Sequence, residues 1–186
     1  MKHLFTITSI FLLISINSLA QEFMGIKVAG TKDIAIQSFK NKGFSLIEDS
    51  DGAATMKGKI GTDKVELFII YTPLSKTVWK FGIYLPEESA WTYLKSSYNK
   101  YLSLLTEKYG EPEKSYSFFG SPYDEGDGYE MTAVNVDKCM YAAFWKKEIG
   151  VRIKISNSKQ VSIAYENEIN ATLDDVEKKS INSKVF

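Results

Sequence analysis

The stretch from Pro86 to Gly110, PEESAWTYLKSSYNKYLSLLTEKYG, has a periodicity that fits one structure, and the rest of the chain is organised around it. Trp91, Leu94, Tyr98, Tyr101, Leu102, Leu105 and Tyr109 recur at steps of three and four. That spacing places them on one stripe of an α-helix and turns Lys95, Ser96, Asn99 and Lys100 toward water. Pro86 has the fixed φ of a first helical turn, and Glu87 and Glu88 put negative charge at the positive end of the helix dipole. Gly110 offers the left-handed position after Tyr109, and Pro112 bars continuation. A stripe this aromatic needs an apolar surface to cover, and sheet core is the expected one.

The strands that supply that surface lie on both sides of the helix. From Phe44 the period is two: Phe44–Glu48, Ala54–Ile60, Lys64–Tyr71 and Lys76–Leu85 are separated by Asp- and Gly-rich turns and a Pro73 turn, which predicts an antiparallel meander. Val65, Leu67, Ile69 and Tyr71 alternate onto one face, as do Trp79, Phe81, Ile83 and Leu85 in the next strand. Ahead of the meander, Thr31 is a candidate N-cap for a short helix with Ala35, Ile36 and Phe39 on one side. Gly43 and Phe44 then have the order of a Schellman cap, with Phe39 touching Phe44. Beyond the long helix, Lys114–Phe119, Tyr129–Val136, Cys139–Trp145, Val151–Ser156 and Val161–Tyr165 read as further strands. Val151, Ile153 and Ile155 alternate with Arg152, Lys154 and Ser156, a dry side and a wet one. The expected fold is α+β: two pseudo-repeats, each a helix packed on an antiparallel meander of about four strands, over residues 21–86 and 87–167. Residues 168–186 read as a polar tail in which Ile169, Leu173 and Val176 dock as a turn or two, with fraying beyond Lys179.

Residues 1–20 have the plan of an export signal: Lys2 and His3, a mainly apolar run from Leu4 to Leu19, and small residues at Ser18-Leu19-Ala20. Cleavage after Ala20 leaves about 166 residues, the size of one domain or two packed halves. The apolar run is short for a bilayer span, so no transmembrane segment is expected after cleavage, and localisation is periplasmic or secreted. The only histidine is His3, in that leader, so the mature chain has none for a Ser-His-Asp or Cys-His centre or a His-ligated metal. A single cysteine, Cys139, excludes an internal disulfide framework. It alternates with Tyr141, Ala143 and Trp145 and so reads as core, the alternative being an intermolecular disulfide. The formal net charge is +0, and with no Lys/Arg cluster nucleic acid is not an expected partner.

Two places stand out as candidate sites. If Val65, Leu67 and Ile69 face inward, then Phe68, Ile70, Val78 and Tyr84 form an apolar patch on the opposite side of the first meander. Either it packs internally or it receives a protein or peptide partner. The other place is the loop Ser121–Gly128 with Glu130, whose Asp124, Glu125, Asp127 and Glu130 are a minor candidate for a cation. They lack EF-hand spacing, and an acidic solvated turn is the simpler reading.

The segments Phe23-Met24-Gly25-Ile26 through Gly30, Lys42-Gly43-Phe44, Ile83-Tyr84-Leu85-Pro86 and Leu105-Thr106-Glu107-Lys108-Tyr109-Gly110-Glu111-Pro112 resemble small exported proteins of unknown function from Bacteroides-type bacteria. The layout also resembles the tandem helix-plus-sheet modules of beta-lactamase-inhibitor-like and outer-membrane-assembly lipoprotein domains. The resemblance implies a fold and an exported setting, but no activity. The chain lacks the lipoprotein cysteine and the paired disulfide cysteines often seen in those modules, so neither an anchor nor an inhibitory loop carries over. The expectation is therefore a non-enzymatic, cofactor-free binding module for a protein or peptide. A carrier of an apolar ligand or lipid in an aromatic pocket, or a carboxylate-dependent hydrolase, are the alternatives.

Overall fold

A computed structural model describes residues 22–146 and 150–183. Residues 1–21, with the expected leader, and residues 147–149 and 184–186 lie outside them. Among the described residues the chain is α+β, with four helices, an antiparallel sheet of eight strands and a two-stranded ribbon. The ribbon is β1 (Glu22–Phe23) and β2 (Ile26–Lys27), followed by α1 (Lys32–Lys40) and four strands: β3 (Ser45–Ser50), β4 (Ala53–Ile60), β5 (Asp63–Tyr71) and β6 (Val78–Tyr84). The long helix α2 (Trp91–Tyr109) comes next, then β7 (Lys114–Phe119), α3 (Glu130–Asn135), β8 (Cys139–Lys146), β9 (Gly150–Ile155), β10 (Val161–Glu166) and α4 (Glu168–Asn182).

Strand order across the large sheet is β3-β4-β5-β6-β10-β9-β8-β7. The chain lays four strands side by side, crosses through α2 to the far edge, and works back until β10 pairs with β6, Ile163 opposite Ile83. This seam makes one sheet of the two meanders and one core of their inward faces. Leu67, Ile69, Phe81, Ile83, Ile153, Ile163 and Tyr165 point to the same side and are buried together. On that side α1 packs against β3 and β5, and α2 against β9 and β10. Phe39 of α1 meets Phe81 edge-on at 5.1 Å, and Phe23 bridges Phe39 at 5.8 Å to Tyr165 at 5.5 Å. Each such aromatic contact adds about 0.5–1.5 kcal/mol beyond area burial.

Helix ends follow local rules, with one difference. After α1 the amide of Phe44 donates to Phe39 O and that of Gly43 to Lys40 O, with Gly43 at φ +88. This is a Schellman closure, and it sets the Phe39 and Phe44 rings 5.5 Å apart. Phe44 in turn lies over Gly58, where any Cβ would collide with its ring. The long helix ends at Gly110, φ +82, as its sequence predicts, but it starts at Trp91 instead of Pro86. Residues 86–90 are held outside the helix by the β9–β10 turn: the Leu85 amide donates to Val161 O and the Glu88 amide to Lys159 O. The apolar stripe is buried through Leu94, Tyr98, Tyr101, Leu105 and Tyr109.

Two segments differ from the sequence expectation. Residues 130–135, expected within a strand, form α3, because Ala133 and Val134 are both buried and adjacent positions share a face only in a helix. The stretch from Glu168 forms α4 through Asn182, capped by Asn167, whose side chain accepts from the Asn170 amide. It is held by polar groups: Asn167 Nδ2 donates to Val28 O, Asn170 Nδ2 donates to Val78 O, and the Glu177 carboxylate accepts from the Leu74 and Ser75 amides. Desolvation pushes the Glu177 carboxyl upward, but the hydrogen bonds from Ser75 and Leu74 outweigh it and hold it below the usual glutamate range. Ile169 and Val176, expected to dock, are 81% and 57% exposed. No described helix is long and apolar enough to cross a membrane.

Candidate functional site

The candidate site is the face of the sheet turned away from α1 and α2, and strand register fixes what it displays. Because side chains alternate, burying Val65, Leu67, Ile69 and Tyr71 sends Glu66, Phe68 and Ile70 to the opposite face. Pairing then sets a row across six strands: Phe68, Gly82, Ala164, Arg152, Phe144, Lys114. The next row runs Glu66, Tyr84, Ser162, Lys154, Ala142, Tyr116. At Gly82 of β6 and along β10 the rows turn small, and Arg152 and Lys154 follow on β9. Gly82, Ala164 and Ser162 make a buried floor, with larger side chains standing on either side.

This size distribution produces two neighbouring depressions. One, of about 350 Å³, is lined by Phe68, Ile70, Tyr84 and Lys80 together with Gly82 and Ser162. The other, of about 420 Å³, is lined by Tyr116, Phe144, Lys114, Lys146, Glu166 and Glu168. Both include Arg152 and Ala164, so they meet at the centre of the sheet. The Phe68 and Tyr84 rings are T-shaped at 5.3 Å, which fixes the wall on the β5–β6 side. Toward the β7 edge, Tyr116, Phe118 and Met140 are 41%, 52% and 46% exposed and extend the apolar character of this face.

Of the four residues predicted to form an apolar patch, Phe68, Ile70 and Tyr84 come together here, half-buried. Val78 does not. It is 0% exposed and packs in the core opposite Tyr71. The cause is a register shift between the Ile70–Lys80 and Tyr71–Val78 pairs, which inserts Trp79 as an extra residue and reverses the facing of everything before it. Lys80, opposite Ile70, is thus the last residue of β6 on the open face with Gly82 and Tyr84, and it pairs with Glu166 at 3.2 Å. Gly82, Ala164, Ser162 and Arg152 were not singled out from sequence. Their signal was present in the large–small alternation of VSIAYE at 161–166, but small residues at alternate positions mark a trough only when two such strands are adjacent.

The Glu125, Asp127 and Glu130 carboxylates of the acidic loop are engaged by donors within the protein. Glu125 accepts from Trp91 Nε1 at 3.2 Å and Tyr141 OH at 2.9 Å, and pairs with Lys95, so it ties the loop to α2 and β8. The Lys95 ammonium beside it, with the Tyr141 and Trp91 donors, holds its carboxyl below the usual range against the opposing effect of burial. Asp127 accepts from the Asp124 and Tyr129 amides, and Glu130 accepts from the Gly126 amide. These carboxylates stabilise the turn and the start of α3, and among the described residues no three His, Cys, Asp or Glu side chains converge. Next to this strut, Trp91, Phe119 and Tyr141 stack within 5.1–5.9 Å of one another around half-buried Cys139. Burial pushes the Cys139 thiol up to about 12, so it is protonated at neutral pH and a poor nucleophile.

Comparison with protein-family models, with curated proteins and with solved structures returned no match. What the chain can do is therefore argued from the geometry of its open face.

Proposed function

We propose that the protein is an exported, non-enzymatic binding module whose open sheet face docks a protein or peptide partner. The observation that carries this reading is a floor of Gly82, Ala164 and Ser162 flanked by the Phe68–Tyr84 pair on one side and Phe144 and Tyr116 on the other. A sheet face that only met water would be polar at its walls, and one that packed internally would be large at its centre. This face has aromatic walls that bury much area at low entropic cost and a floor that leaves room for an incoming segment. α1 with β3–β6 and α2 with β7–β10 are read as tandem copies of one helix-plus-meander unit, and the seam of the two copies, β6 beside β10, is the floor. A carrier would instead hold its ligand between α2 and the sheet, where Leu94, Tyr98, Tyr101 and Leu105 are buried against it, and this favours the docking reading.

The test is capture of partners from the native envelope fraction by the purified protein, by a Phe68→Ser/Tyr84→Ser double variant and by Gly82→Val, with circular dichroism on each. A Cβ at Gly82 would stand at ordinary distances, 3.6 Å from the Tyr84 ring and 3.8 Å from Phe68, so a side chain can start there, and circular dichroism checks that the valine methyls fill the floor with the fold intact. Loss of a captured protein in both variants with unchanged spectra supports docking. Equal capture by all three proteins overturns it.

A further inference from the structure

We infer that the segment received by the open face carries a carboxylate, held by Arg152, beside an aromatic or aliphatic side chain seated over Gly82. This rests on the docking reading and adds the chemistry of the partner. Charge complementarity carries it. Three acids of this face have basic partners, Glu66 with Lys57 at 3.1 Å, Glu166 with Lys80 at 3.2 Å and Glu168 with Lys146 at 3.6 Å, while exposed Glu113 stands at the outer rim beside Lys114. Among the described residues Arg152 and Lys154, which lie between those pairs, have no acid, and the Arg152 guanidinium has no hydrogen bond. Arg152 is half-buried where the two depressions meet, with Phe144 across one strand boundary and only the Ala164 methyl across the other. A planar fork of five donors, drawn partly out of water with open space over Ala164, is suited to a bidentate carboxylate.

Size sets the class of the ligand. From β5 to β7 the apolar walls span five strand spacings, about 24 Å, which exceeds a small organic acid. A bilayer surface is flat on this scale and does not descend to a floor of Gly82 and Ala164 between standing rings. A single protein segment does both. Gly82 and Arg152 stand two strand spacings apart, about 10 Å, and same-side positions two or four residues apart on an extended chain bracket that distance. Lys154, next on the same side of β9, is placed for a second acid.

A random-peptide library displayed on phage is selected on the purified protein, and the affinities of the recovered peptides are measured for the wild type, Arg152→Glu, Arg152→Gln and Gly82→Val, each checked by circular dichroism. The expected peptides carry Asp or Glu two to four residues from an aromatic or aliphatic residue. They lose about tenfold or more in affinity on Arg152→Glu, less on Arg152→Gln, and also weaken on Gly82→Val. Peptides without an acid, indifferent to both Arg152 changes but lost on Gly82→Val, overturn the carboxylate and leave docking standing. Peptides indifferent to all three changes, no recovered peptide, or Arg152-dependent sedimentation with phosphatidylglycerol vesicles alone overturn docking itself. Where Arg152→Glu alters the fold, Arg152→Gln, which keeps a polar side chain and adds no charge, decides the same question.

Discussion

The two faces of the eight-stranded sheet are built from the same strands and differ in where their large side chains stand. Under α1 and α2 the centre of the sheet holds Leu67, Phe81, Ile83, Ile153 and Ile163, all buried. On the other face Gly82, Ala164 and Ser162 are small, with Phe68 and Tyr84 beside them on β5 and β6, Arg152 and Lys154 on β9, and Phe144 and Tyr116 beyond on β8 and β7. A core is filled from the middle because close packing leaves no void there. The open face instead leaves space over Gly82, Ala164 and Ser162 beside aromatic walls, and the docking proposal rests on that space. The faces differ in polarity, since the open one also carries Glu66, Lys80, Arg152 and Lys154, and in size distribution, which polarity counting alone would miss.

The largest effect expected from this contrast is on the packed face. Phe81→Ala should cost about 3–5 kcal/mol in urea unfolding, since Phe39 meets that ring edge-on and no helix can close the gap. A loss below about 1 kcal/mol would show that the face is not filled as described. Gly58→Ala comes next, at about 1–3 kcal/mol, because the new methyl must displace the Phe44 ring and with it the end of α1. The same substitution at Gly82 should be tolerated, since strand glycines are entropically costly and the new methyl meets Tyr84 and Phe68 at ordinary contact distances. A measured difference of less than about 0.5 kcal/mol between the two alanines would break the comparison.

Smaller effects sharpen it. Glu125→Ala should cost about 1 kcal/mol, discounted for a side chain that is partly exposed. The Glu125 carboxyl lies below the ordinary glutamate value of 4.5, so on acidification the unfolded chain takes up this proton first. The stability it contributes is complete above about pH 4.5 and is lost as pH falls through the lower folded value. Thermal melts of wild type and variant should therefore converge in acid, and a gap that persists there would remove Glu125 from the account. Phe68→Ser, on the open face, should change stability by less than about 1.5 kcal/mol while weakening partner capture, the reverse of the Phe81→Ala pattern. Smallest of all, Cys139 should react slowly with a thiol reagent at neutral pH and speed up only on unfolding, because burial keeps it protonated.

Particular residues show why some of this was legible early. The stripe Leu94, Tyr98, Tyr101, Leu105 and Tyr109, the alternation of Val65 to Tyr71, and the Gly43–Phe44 closure of α1 are local patterns set by helix and strand geometry, and each reappears in place. Val78 defeated alternation because a single inserted residue, Trp79, shifts the register, and the strand itself carries no mark of where its partner skips. α3 carries the β-branched Thr and Val residues of a strand, and burial of the adjacent Ala133 and Val134 on one face overrides that preference. α4 was underestimated because it docks through Asn170 and Glu177 on backbone groups, and hydrophobic periodicity does not record polar docking.

By itself the sequence determined what short-range geometry encodes: the long helix, the strands that alternate, the mixed α+β class, and an outward-facing Phe68 and Tyr84. Only the tertiary structure decided that β10 returns to lie beside β6, and so that Gly82 and, roughly eighty positions later, Ser162 and Ala164 become one floor with Arg152 at its edge. The reason is that a strand specifies which of its side chains share a face, while the neighbour across its hydrogen bonds is chosen by how the whole sheet closes its core.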